Sequence, residues 1–112
     1  MSEQNLVRTI LSYLKLRNIP AWRQNQGAMT LENKGQRRFI RFASAPCISD
    51  IIGLIPPTGR LLAIECKIGN NSPTPTQADF LATIADAGGL AIVARSLDDV
   101  IEALGDEQPT KE

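Results

Sequence analysis

The sequence predicts an α/β fold, a sandwich in which a mixed sheet lies between helices. Three features predict it. Leu61–Lys67, Thr74–Ala87 and Leu90–Ala94 read as strand, helix and strand, a crossover that makes the two strands parallel neighbours. Asp50–Gly53 and Leu61–Lys67 flank the turn sequence Pro56-Pro57-Thr58-Gly59, which folds them into an antiparallel hairpin. The chain begins with Leu6, Val7, Ile10, Leu11 and Leu14 at helical spacing. Helices before and after a sheet with both pairing senses make the α/β class.

Taken in order, Glu3 to Arg17 is predicted as an amphipathic helix with Ser2 at its N-cap, ended by Asn18-Ile19-Pro20. Glu3 falls in the first turn, where the helix dipole alone favours a carboxylate. Ala21–Asn25 reads as a short strand, with Trp22 a core residue and Arg23 and Asn25 on the other face. Residues 26–36 read as a polar, mobile loop with glycine near both ends, and Gln36–Phe42 as a strand. Beyond the hairpin, Gly69–Pro73 is a turn. Thr74 caps the next helix, with Pro75 at its first position and Gln77 at its third to complete a capping box. Phe80, Leu81, Ile84 and Ala85 form its buried stripe, and Gly88-Gly89 end it. Leu90–Ala94 is a buried strand, and Ser96-Leu97-Asp98-Asp99 caps a last helix through Leu104. Residues 1–105 are expected to form one domain and 106–112 a frayed charged tail.

Composition narrows the function. A chain of 112 residues with 43% hydrophobic content holds a modest core without staples. No apolar run approaches the ~20 residues of a membrane span, and no leader pattern opens the chain, so the cytoplasm is expected. With Cys47 and Cys66 but no histidine, a Cys/His zinc site and any imidazole mechanism are excluded. Spacing permits a disulfide, although reduced thiols suit a cytoplasmic chain. A net charge of zero conceals an uneven distribution. Residues 1–49 carry eight basic and two acidic residues, and residues 50–112 carry four basic and ten acidic. An anionic partner for the first half explains this, and so does attraction between two faces of one domain. Arg37, Arg38 and Arg41 interleave with Phe39, Ile40 and Phe42, a pattern that can grip a phosphate backbone and stack on bases, or simply present a solvated face.

The densest chemistry lies in the hairpin. Charges seldom sit in apolar strands unless paired or holding a metal. Alternation puts Glu65 and Lys67 on one side of their strand with Cys66 pointing away. The turn can bring Asp50 beside them. Two carboxylates close together suit a hard divalent cation, and an adjacent lysine can orient or deprotonate a water or offset phosphate charge. The plainer reading is a surface hairpin with Glu65 and Lys67 as an exposed ion pair. The helix that starts just after this strand can also turn Gln77 toward the acids, although the capping box alone accounts for it.

Ser49-Asp50-Ile51-Ile52-Gly53, Ile64-Glu65-Cys66-Lys67, Thr76-Gln77 and the later Gly88-Gly89 resemble the PD-(D/E)XK nucleases, and within them the virus-type replication-repair nuclease (VRR-NUC) domain in its small stand-alone form. The resemblance runs from Glu3 to about Leu104. Ser49 stands where the family has proline, a position that shapes the strand's start and does no chemistry. What the resemblance implies is a restriction-endonuclease-like αβββαβ core with a mixed central sheet flanked by helices, and a Mg²⁺- or Mn²⁺-dependent DNA endonuclease. It implies Asp50 and Glu65 as side-chain metal ligands, the Cys66 backbone carbonyl as a third, and Glu3 as a further acid completing coordination. Lys67 would position the attacking water, and Gln77 would support the site. Arg23, Asn25, Lys34, Arg37, Arg38 and Arg41 are the candidate DNA contacts. A homodimer acting on branched DNA such as four-way junctions is implied too, in the cytoplasm of a bacterial or phage-infected cell, with no membrane or organic cofactor. A non-catalytic nucleic-acid-binding module, whose acids and lysine merely pair, is the alternative. A thiol enzyme on Cys47 or Cys66 would lack a histidine base.

Overall fold

A computed structural model gives the fold; it describes residues 1–24, 28–33, 36–41 and 49–105, with side chains for 1–24 and 49–105. Helix α1 (Glu3–Leu16) is followed by strands β1 (Ala21–Arg23), β2 (Ala28–Asn33), β3 (Gln36–Arg41), β4 (Ile51–Ile55) and β5 (Arg60–Cys66). Helix α2 (Pro75–Asp86), strand β6 (Leu90–Ala94) and helix α3 (Leu97–Leu104) complete the order. The main sheet runs β1-β4-β5-β6, antiparallel across its first two pairings and parallel between β5 and β6. This is the predicted mixed α/β sheet. The series α1, β1, β4, β5, α2, β6 supplies the αβββαβ core, with α3 following it.

The ends of the helices follow their local sequence. Ser2 Oγ accepts the Asn5 N–H at 3.1 Å to start α1. Asn18 ends that helix at φ 61°, a left-handed conformation that asparagine tolerates. The Ile19 N–H then reaches back to Leu14 O at 2.9 Å, and the Ile19 side chain is buried. Helix α2 closes in the same way at Gly88, φ 104°, with the Gly89 N–H on Ile84 O at 2.8 Å. Arg60 of β5 donates to the carbonyls of Gly88 and Gly89 at 2.7 and 3.2 Å, pinning that helix end to the sheet.

The core occupies one face of the sheet. Ile51, Ile55, Leu62, Ile64, Cys66, Ile92 and Ala94 project there against Leu6, Val7, Ile10 and Leu14 of α1 and Val100 and Leu104 of α3. Helix α2 packs on the other face, over β5 and β6. Ile10 lies at the centre of the packed layer and has no exposed surface. Ile10→Ala is therefore expected to lower unfolding free energy by about 2–5 kcal/mol and Ile10→Val by about 1 kcal/mol, read from urea unfolding curves.

Several expectations are corrected. The stretch predicted as a loop over 26–36 contains β2, which pairs with β3 from Ala28↔Arg41 to Asn33↔Gln36 as a separate two-stranded sheet. Within β2 only Met29-Thr30-Leu31-Glu32 alternates apolar with polar, and pairing with β3 outweighs the polar composition of the surrounding stretch. Trp22 is not in the core; it is 45% exposed. Its strand has three residues at the sheet edge, and α2 covers only the β5–β6 half of the face on which Trp22 lies. Ala85 is exposed, so the buried stripe of α2 narrows to Gln77 and Leu81 with Phe80 and Ile84 half-buried. Ser96 makes no side-chain cap; the Asp99 carboxylate accepts the Arg95 N–H at 2.8 Å instead. Among the described residues, no helix is long and apolar enough to cross a membrane.

Candidate active site

The β4–β5 register places Ile51 opposite Ile64, so the residue before β4, Asp50, comes opposite Glu65. Residues directly opposite in an antiparallel pair share a face, which gathers the two carboxylates by backbone pairing alone. Asp50 is held at both ends. Its carbonyl accepts the Gln24 N–H at 2.8 Å, and its Oδ2 accepts the Cys66 N–H at 2.9 Å. Just before it, buried Ser49 donates its hydroxyl to Ile51 O at 3.2 Å, a local bond that a proline could not make.

Glu65 is the decisive residue. It is 2% exposed, on the sheet face covered by α2. Gln77 Nε2 donates to its Oε2 at 2.8 Å while Gln77 Oε1 accepts the Thr74 N–H at 2.9 Å. One side-chain amide thus closes the capping box and supports the acid, both roles the sequence permitted. Lys67 Nζ lies 3.4 Å from the same Oε2. The other oxygen, Oε1, is buried with no hydrogen-bond partner. Burial pushes the Glu65 carboxyl above its ordinary range, with the Asp50 charge adding to the rise and Lys67 opposing it. A buried carboxylate oxygen without a donor beside a second carboxylate is costly in the free chain and suited to a hard cation.

Cys66 points to the other face, its side chain wholly buried in the core. Burial, aided by the charges of Asp50, Glu65 and Glu3, pushes its thiol up to about 12. A protonated, enclosed thiol is not a nucleophile, which removes Cys66 as a thiol-enzyme centre. It is a free cysteine; Cys47 lies outside the described residues.

The remaining candidates are more dispersed. Glu3 is half-buried in the first turn of α1, and its charge reaches the Cys66 thiol. Among the described residues no group of three or more acids, thiols or imidazoles gathers tightly enough to hold a metal, so the acid cluster is the Asp50–Glu65 pair. Arg23 lies on the core side of the sheet, opposite Ile51, and donates to Gln4 Oε1 at 3.0 Å. Arg37, Arg38 and Arg41 belong to β3, paired with Glu32, Leu31 and Ala28. Asn25 and Lys34 fall outside the described residues. The sequence reading missed Gln24, whose backbone N–H fixes the Asp50 carbonyl. Its only signal was its place at the end of the strand beside β4.

The pattern Asp50, Glu65, Lys67 and Gln77, with Lys67 and Gln77 both on the Glu65 carboxylate, coincides with a match of the VRR-NUC domain family model to residues 1–98. This chain belongs to the VRR-NUC family. Family membership makes it a nuclease domain, acting on phosphodiester bonds of nucleic acid. The match spans α1 to the start of α3, so the whole sheet and both flanking layers belong to the VRR-NUC domain. A comparison with curated proteins returned no match.

Proposed function

We propose that this VRR-NUC domain is a divalent-cation-dependent DNA endonuclease that hydrolyses phosphodiester bonds in structured or branched DNA as a homodimer. The observation that carries the reading is the buried, unpartnered Oε1 of Glu65, on a residue whose backbone register sets it opposite the second carboxylate, Asp50. Mg²⁺ or Mn²⁺ suits such a pair. Asp50 and Glu65 would hold it, with the Cys66 backbone carbonyl third; Glu3, which does not gather with the pair in this structure, would be a further acid only if the first turn of α1 moved toward them. When bound, the cation supplies Lewis acidity toward the phosphate and lowers the pKa of a coordinated water.

The chain's own groups do the rest. Gln77 holds Oε2 of Glu65 and leaves Oε1 for the cation. Cys66 N–H fixes the rotamer of Asp50. Lys67, part-exposed beside Glu65, places a positive charge where a phosphate oxygen gains negative charge, and can orient the attacking water. Arg23, Asn25, Lys34, Arg37, Arg38 and Arg41 would supply contacts to the DNA backbone, which fix its position without reading sequence. A domain this small offers limited surface, and a twofold pair would present two active sites to the two strands of a junction.

The test is cleavage by purified protein of linear, flapped and four-way-junction DNA with Mg²⁺, Mn²⁺ or chelator, alongside mass measurement by light scattering. The expected result is cutting with either ion, none in chelator, a preference for branched DNA and a dimeric mass. Salt-sensitive binding with no cleavage in any divalent ion would instead identify a non-catalytic nucleic-acid-binding module.

A further inference from the structure

Trp22 is the chain's single tryptophan, and its ring has no place in the core. Register pairs Trp22 with Ile52, so alternation carries Gln24 and Asp50 onto the same face of the sheet. That face also carries Glu65, and its β1–β4 half is left open by α2: Leu54 beside Trp22 is 40% exposed. The indole is oriented, because its Nε1–H donates to Gln24 Oε1 at 3.1 Å. The same Gln24 holds the Asp50 carbonyl through its backbone N–H. Trp22 therefore stands two residues from the acid pair's register, roughly 7 Å along the strand, and one strand spacing of about 4.8 Å across from Asp50. Around the sheet edge, on the side where α1 packs, Trp22 also borders an open groove of about 290 Å³ with Leu11 and Lys15 of α1.

We infer that Trp22 is a stacking platform for an unpaired nucleobase close to the scissile phosphate. This deepens the nuclease proposal and rests on it. An exposed indole fixed at its N–H end offers a π-face, and every base has a π-face to match it. In continuous duplex each base is already stacked between neighbours and must be pulled out first. At a branch, flap or gap it is free. A platform at this distance favours cutting where the duplex is interrupted, without reading sequence.

The single tryptophan makes the test direct. The full-length protein in chelator is titrated with a short oligothymidylate and with a blunt duplex of equal length, while Trp22 fluorescence is read. Strong quenching by the single strand and weak quenching by the duplex is expected. Trp22→Ala should bind the single strand roughly tenfold more weakly with the slope of affinity against salt unchanged, and Trp22→Phe should stay within about threefold of the parent. Circular dichroism checks that both variants fold. Equal quenching by the duplex, no quenching by the single strand, or undiminished binding by Trp22→Ala overturns the inference. So does an emission shift with protein concentration alone, which would place a second copy on this face. Cutting without quenching defeats the platform and spares the nuclease; quenching without cutting in any divalent ion does the reverse.

Discussion

Asp50→Asn is expected to lower Mg²⁺- or Mn²⁺-dependent DNA cleavage by roughly 10³-fold or more, the loss of several kcal/mol of transition-state stabilisation. The substitution removes one negative charge and keeps the shape. An asparagine carbonyl can still accept the Cys66 N–H that Asp50 accepts at 2.9 Å, and its backbone carbonyl keeps the Gln24 N–H. The fold should survive, as circular dichroism and a thermal melt will report. Parent-level cutting by folded Asp50→Asn would remove Asp50 from the reaction and end the proposed assignment.

Glu65→Gln should abolish cleavage to a similar degree while making the metal-free protein more stable. In the unfolded chain this carboxyl ionises near 4.5; burial and Asp50 raise its pKa in the folded chain. Between those two values the folded state keeps a proton that the unfolded state has lost. Stability of the metal-free parent therefore falls as pH rises through that window, and the deficit persists above it. Glutamine carries no such charge, so the variant's melting temperature at neutral pH should exceed the parent's and should lose this pH dependence. Lys67, with 13% of its side chain exposed, keeps access to water when its partner is neutralised. Addition of Mn²⁺ reverses the ranking: the parent should gain about 2.7 kcal/mol at a hundredfold excess over its dissociation constant, and the variant almost nothing. Thermal melts across pH, with and without the ion, measure both effects. A Glu65→Gln protein less stable than the metal-free parent, yet equally stabilised by Mn²⁺, would show that Glu65 is an ordinary paired acid.

Much of this site was legible because it is built from neighbours in the chain. The Pro56–Gly59 turn fixes a short hairpin, and once Ile51 pairs with Ile64 the two acids have nowhere else to face. The capping box at Thr74 was equally local, needing only residues three apart. The errors came where burial depends on what covers a segment. Trp22 is a large apolar side chain in a strand, yet α2 does not reach across it. The β2 strand was hidden by polar composition, since its partner supplies hydrogen bonds that propensity does not count. Ala85 fits the helical spacing of a buried stripe, but the face of α2 that meets the sheet is a narrow one of Gln77, Phe80, Leu81 and Ile84, and Ala85 lies beside it in solvent.

The sequence by itself determined the α/β class, the hairpin, the helix limits and the identity of the acid–lysine–glutamine set, because turns, caps and alternation act over a few residues. Tertiary structure alone decided that Glu65 is sealed under α2 with one oxygen unpartnered, that its pKa is raised, that Cys66 is an inert thiol and that Trp22 faces outward. Those properties depend on solvent exclusion, which is set by how layers distant in the chain cover one another, and no local pattern encodes that coverage.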